Sequence, residues 1–83
     1  MAIDILYFAS LRERIGQGRE TVETDAVTVS ELIAELVARD PRHAAAFADL
    51  GSLRVAVDQR LAEFSAPLKG VRELAFFPPM TGG

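Results

Sequence analysis

The chain has 83 residues, 49% hydrophobic and 25% charged, with nine Lys and Arg against twelve Asp and Glu. That balance describes one small folded domain whose core, burying about 60–65% of the unfolded chain's surface, is too small to enclose a cofactor pocket as well. A net charge of −3 with scattered cations leaves no footprint for nucleic acid, the lack of Cys and the single His argue against disulfide, thiolate and zinc chemistry, and no apolar run approaches the roughly 18 residues of a membrane span.

The N-terminus has no basic region ahead of an apolar stretch, so a soluble cytoplasmic protein is expected. From Ala2 to Phe8 the residues alternate, Ile3, Ile5 and Tyr7 against Asp4, Leu6 and Phe8, which predicts a strand with apolar groups on both faces. Ala9 to Ile15 reads as a short helical turn with Leu11 and Ile15 four apart, ended by Gly16-Gln17-Gly18. Arg19 to Glu23 is the second strand, paired hairpin-like with the first. Thr28-Val29-Ser30-Glu31 is a capping box, with Val27 and Leu32 placed for a hydrophobic staple. The helix it opens carries Val29, Leu32, Ile33, Leu36 and Val37 on one stripe, until Pro41 ends it. Glu31 and Glu35 complement the dipole of its first turns. A shorter helical piece is expected from Arg42 to Leu50, closed by Gly51. Leu53 to Asp58 alternates with Leu53, Val55 and Val57 inward, and Asp58-Gln59-Arg60 turns the chain. Leu61 to Phe64 is a short strand and Ser65 to Gly70 a loop. Val71 to Phe77 is the last strand, with Leu74 and Phe76 inward, stopped by Pro78-Pro79.

The order strand, strand, helix, then three strands predicts an α+β fold with one helix covering one sheet face. The other face, with Leu6, Phe8, Ala56, Ala75 and Phe77 and with Leu61 nearby, carries too many large apolar groups for plain surface and is expected to be a protein interface. His43 assembles no triad and is expected on the surface or at a helix cap; Gly16-Gln17-Gly18 is too short for a phosphate loop. The segment Pro78-Pro79-Met80-Thr81-Gly82-Gly83 is different. It carries no side-chain charge; two Pro stiffen its start and two Gly slim its end, and its six residues can extend about 20 Å, enough to reach into another protein's active site.

Phe76-Phe77-Pro78-Pro79-Met80-Thr81-Gly82-Gly83 resembles the C-terminus of the ubiquitin-like MoaD/ThiS sulfur-carrier family, in particular its molybdopterin synthase small-subunit branch. Phe8-Ala9, Arg12-Glu13, Gly16, Val55-Ala56-Val57 and Pro67-Leu68 are similar to further family positions, so the resemblance runs the length of the chain. It implies a β-grasp fold, a mixed sheet packed on one main helix, as a single domain over residues 1–83 with an extended tail over 78–83. It also implies that the Gly83 carboxylate is adenylated by a ubiquitin-activating-type enzyme, converted to a thiocarboxylate, and inserted into the large subunit of molybdopterin synthase. There the sulfur goes to cyclic pyranopterin monophosphate in molybdenum cofactor biosynthesis, in a heterotetramer. By the same resemblance Gly83 is the reactive end and Pro78, Pro79, Met80, Thr81 and Gly82 insert with it. Phe8, Arg12, Leu61 and Phe77 bind the partners. No metal or cofactor is expected on this chain, ATP being used by the activating partner. Carriers for thiazole synthesis or tRNA thiolation, and ubiquitin-like modifiers of lysines, share the Gly-Gly end. The sequence departs from the family with Gly70-Val71-Arg72-Glu73 for an acidic Asp-Gly-Asp-Glu turn, Asp58 for Asn, and Met80 for Val.

Overall fold

A computed structural model describes residues 1–79. Five strands, β1 (Ala2–Tyr7), β2 (Arg19–Glu23), β3 (Arg54–Val57), β4 (Arg60–Ala62) and β5 (Glu73–Phe77), form one sheet in the order β2-β1-β5-β3-β4. The central pair β1 and β5 is parallel and every other pairing antiparallel. The last strand therefore inserts between the first and the third. A crossover is needed to bring β5 parallel to β1, and the main helix α2 (Val29–Arg39) lies within it. This is the expected β-grasp arrangement.

Alternation decides the faces. Ile3, Ile5 and Tyr7 of β1, Val55 of β3, and Leu74 and Phe76 of β5 are buried, together with Val29, Leu32, Ile33 and Leu36 of α2. Val37 was expected on the same stripe but is exposed. At about 100° per residue it falls at the stripe's margin, roughly 90° from its centre. The capping box forms with a shift. Thr28 Oγ1 accepts from the Glu31 N–H at 3.2 Å, while the Glu31 carboxylate accepts from the Val27 N–H at 2.6 Å, beyond the cap residue itself. Val27 stays 66% exposed, so it supplies no effective staple; its carbonyl instead takes the Leu68 N–H. Glu35 accepts from the Thr24 hydroxyl rather than merely serving the dipole.

The second helical piece is shorter than expected: α3 (Pro41–Ala46), then a separate 3-10 turn at Leu50–Ser52. Pro41 both ends α2 and starts α3, because Asp40 in extended backbone accepts from the N–H groups of Arg42 and His43. At the other junction, β1 stops at Tyr7, one residue before the expected end, and helix α1 (Ser10–Ile15) begins after Ala9. Ala9 sits at φ 52° and ψ −128°, and Phe8 accepts from the Leu11 N–H at 3.2 Å. That is a type II′ turn with alanine where glycine is the usual residue. Ala9→Gly is expected to stabilise the domain by about 1 kcal/mol, the relief of strain exceeding the added chain entropy. Urea denaturation checks it.

Two other turns explain the departures in sequence. Leu68 accepts from the Val71 N–H at 3.0 Å, and Gly70 at φ +77° takes the one position of that type II turn that demands positive φ. Strand β5 then begins at Glu73 rather than Val71. Asp58 and Gln59 both have positive φ, as the two-residue loop between β3 and β4 requires. The Asp58 carboxylate also accepts from the N–H groups of Arg72 and Glu73, at 3.0 and 2.9 Å. Asp58 thus fixes the entry to β5. Asp58→Ala is expected to cost about 1–2 kcal/mol, leaving two amides without that acceptor, whereas Asp58→Asn, which tolerates the left-handed region and can still accept, stays close to wild type. Thermal unfolding of the two variants tests the difference.

Candidate functional site

Strand β5 runs through the middle of the sheet and ends at Phe77, where the tail departs. Both flanks hold that exit. The Phe8 N–H donates to the Phe76 carbonyl at 3.1 Å, and Arg54 pairs with Phe77 across β3. Pro78 and Pro79 are half-buried and line a shallow groove with Ser10, Leu11, Arg14, Ala46, Ser52 and Leu53. The first two tail residues therefore rest on the domain, aimed by it. Met80, Thr81, Gly82 and Gly83, named above for insertion and for the reactive end, lie outside the described residues.

On the open face one row of aligned residues crosses four strands. Leu6 pairs with Ala75, Ala75 with Ala56, and Ala56 with Leu61. Leu61 is 72% exposed at the edge. It lies on β4, which begins at Arg60 and ends at Ala62; Phe64, expected in the same strand, instead packs partly against the core, and its carbonyl accepts from the N–H and hydroxyl of Ser30 at 2.8 and 3.0 Å. Along β5 the next outward residue is Phe77, with Arg54 opposite it, and Phe8 stands 48% exposed where β1 ends. In the other direction the row becomes polar, with Thr21, Asp4 and Glu73 side by side. Hydrogen bonds from Thr21 and Arg19 hold the Asp4 carboxyl below the usual range. The face is thus apolar toward the tail and polar away from it.

Phe77 and Leu61 share this face and Phe8 lies at its rim, whereas Arg12 stands on α1 against Gly18, its Nε 3.1 Å from where a Cβ of residue 18 would be. Arg54 was not singled out. Its Nη1 donates to the Leu53 carbonyl at 2.9 Å, which keeps a cation beside the tail exit. The signal was present: Arg54 falls between Leu53 and Val55 in a strict alternation and must face the same way as Ala56.

His43 is not on the surface. It is 3% exposed, with Nε2 2.7 Å from Glu20 Oε2 and Nδ1 2.9 Å from Asp40 Oδ2. Tyr7 donates to the same Glu20 oxygen at 2.7 Å. An Ala-rich flank suggested exposure, yet Glu20 of β2, Tyr7 of β1 and Asp40 at the start of its own helix enclose the ring. Burial and the neighbouring Glu20 carboxylate raise the Tyr7 hydroxyl well above its ordinary value, and the amide and ring of His43 lower Asp40. Both ring nitrogens face carboxylate oxygens and neither is open to a substrate, so the cluster is structural.

Among the described residues no group of three or more His, Cys, Asp or Glu is arranged to hold a metal ion, and no helix is long and apolar enough to cross a membrane. What the described residues offer is an apolar sheet face leading to the strand end from which Pro78 and Pro79 depart.

Comparison with known proteins places these features in context. The ThiS family matches residues 5–83. The molybdopterin synthase sulfur carrier subunit of Escherichia coli is 43% identical over 81 residues, covering 98% of this chain and 99% of the relative. Among solved structures, SAMP1 from Haloferax volcanii matches with a TM-score of 0.77 and 28% identity over 100% of both chains. A chain from the complex of subunits 1 and 2 of molybdopterin-converting factor from Helicobacter pylori shares the fold, with a TM-score of 0.64 at 22% identity over 100% of both chains.

Proposed function

The chain belongs to the ThiS family, and from that premise we propose that it is the sulfur carrier subunit of molybdopterin synthase, working as one domain with residues 78–83 as its delivering arm. The observation that carries this reading is the placement of the tail. Its first residues, Pro78 and Pro79, leave the central strand beside the apolar face and lie against Leu11, Arg14 and Leu53, so a partner that covers the face is positioned to receive the residues that follow.

The chemistry follows from the end group. A carboxylate is a poor electrophile, and adenylation by a ubiquitin-activating-type enzyme with ATP converts Gly83 into a mixed anhydride that sulfur can attack. The thioacid so formed is ionised at neutral pH and nucleophilic. Carried into the large subunit of molybdopterin synthase, it delivers sulfur to cyclic pyranopterin monophosphate. This chain supplies reach and docking: Phe8, Leu61 and Phe77 are the apolar contacts, with Arg12 and Arg54 as polar neighbours. Met80, Thr81 and Gly82 pass through the partner's channel. Acid, base and phosphate contacts belong to the partners, and the cytoplasm, where ATP is present, is the setting.

The test is intact mass after incubation with the activating enzyme, ATP and a sulfide source. An oxygen-to-sulfur increase on the peptide ending in Gly83 supports the reading; an unchanged chain, or adducts on lysines of other proteins in its place, overturns it. Docking has its own test. Leu61→Asp leaves the fold intact because the side chain is 72% exposed, and it is expected to weaken binding to the large subunit by about 2 kcal/mol, roughly thirtyfold in Kd. Calorimetric titration of wild type and variant measures it.

A further inference from the structure

An acyl adenylate is open to any nucleophile that reaches its carbonyl carbon, so the chain's own nucleophiles bear on the fate of an activated Gly83. There is no Cys, and the nine cationic side chains are eight Arg and Lys69. A guanidinium stays protonated and offers no attacking lone pair, which leaves two amines. The amino group of Met1 is engaged: it donates to the Thr24 carbonyl at 3.1 Å and pairs with Glu23 at 3.4 Å. Lys69 is exposed on the type II turn between Leu68 and Val71, and among the described residues no carboxylate pairs with it.

The fold puts this amine and the tail at opposite poles. Lys69 precedes β5, at the end of the sheet where the Asp4 N–H meets the Arg72 carbonyl and where β1 and β5 both begin. The tail leaves at the end where both finish. From Pro79 back to Glu73 is about 20 Å at strand rise, while the four residues beyond Pro79 span at most about 14 Å. These spans favour a second copy over the same chain as the source of the amine.

We infer that Lys69 is an acceptor site for the activated C-terminus of another copy, joining copies head to tail when sulfide is scarce; the inference rests on the activation of Gly83 proposed above. In the step, the unprotonated Lys69 Nζ attacks the Gly83 carbonyl carbon of the adenylate. A C–N bond forms, the C–O bond to AMP breaks, AMP leaves with the electron pair, and the surplus proton on nitrogen passes to solvent. Nothing is oxidised or reduced, and ATP is the only co-reactant. Sulfide competes for the same carbon. The product has one free tail at one end and one free Lys69 at the other, so it is linear.

The experiment incubates wild type, Lys69→Arg and a chain lacking Gly83 with the activating enzyme and ATP, with and without sulfide, followed by intact mass and peptide mapping. Without sulfide, wild type is expected to give a species of two chains less one water, with the C-terminal peptide joined to Lys69. Sulfide is expected to suppress it in favour of the thiocarboxylate. Lys69→Arg is expected to lose the conjugate while still forming the thiocarboxylate, and the chain lacking Gly83 to form neither. A conjugate that persists in Lys69→Arg, or one joined through Met1, overturns the inference. So does thiocarboxylate formation with no conjugate in any sample. Absence of both products overturns the activation reading itself, and this inference with it.

Discussion

Removal of Gly83 alone is expected to abolish sulfur loading while leaving the stability of the domain unchanged. The buried core extends no further along the chain than Phe76, and the last described contacts of the tail are those of Pro78 and Pro79 with the groove on α1 and the 3-10 turn. Shortening the end by one residue is therefore expected to leave these contacts in place. It moves the reacting carbon back by about 3.5 Å, whereas attack needs reacting atoms held about 3–3.5 Å apart. If the sheet face with Leu6, Ala75, Ala56 and Leu61 docks as proposed, it fixes the origin of the tail, and the chain cannot slide forward to compensate without giving up that face. Intact mass should show no thiocarboxylate on the truncated chain, and its urea midpoint should match wild type. Retained loading would mean that the activating site tolerates a receding end and that Gly83 has no special role.

The largest effect on stability is expected from His43→Ala. The ring ties α3 to β1 through Tyr7 and Glu20, to β2 through Glu20, and to the α2–α3 junction through Asp40. Its loss strips one hydrogen-bond partner from Glu20, whose side chain is 14% exposed, and leaves space beside Tyr7. Removing a buried aromatic ring and a hydrogen-bond partner of a largely buried carboxylate costs about 3–5 kcal/mol. A domain of this size holds about 4–12 kcal/mol in all, so the variant is expected to be marginal, melting roughly 15 °C lower. A double-mutant cycle with Glu20→Gln separates the pair from general packing: coupling of at least about 1 kcal/mol is expected, and strict additivity would show that the ring acts only by filling space.

Local pattern carried much of this molecule. Period-two runs at Ala2–Phe8, Leu53–Asp58 and Val71–Phe77, and a threefold-to-fourfold stripe after Thr28, mark strands and helix because the chain's own geometry turns side-chain spacing into faces. Element ends were less legible. β5 starts two residues late because Asp58 takes the Arg72 and Glu73 amides, and the Leu61–Phe64 strand is cut short as Phe64 turns to meet Ser30. Contacts fourteen or more residues apart leave no trace in local spacing.

The apolar Gly-Gly tail and the outward set Leu6, Ala56, Ala75 and Phe77 were determined by sequence alone, since each depends on residue type and alternation. Which strands are neighbours was decided by the tertiary structure. Only the order β2-β1-β5-β3-β4 lines Leu6, Ala75, Ala56 and Leu61 into one row, sets Arg54 opposite Phe77, and sends the tail out from the sheet's centre. The same closure buries His43 between Glu20 and Asp40, residues 23 and 3 positions away. A single isolated strand has two faces but no neighbours, and the burial that selects among pairings exists only once the whole sheet has closed on α2.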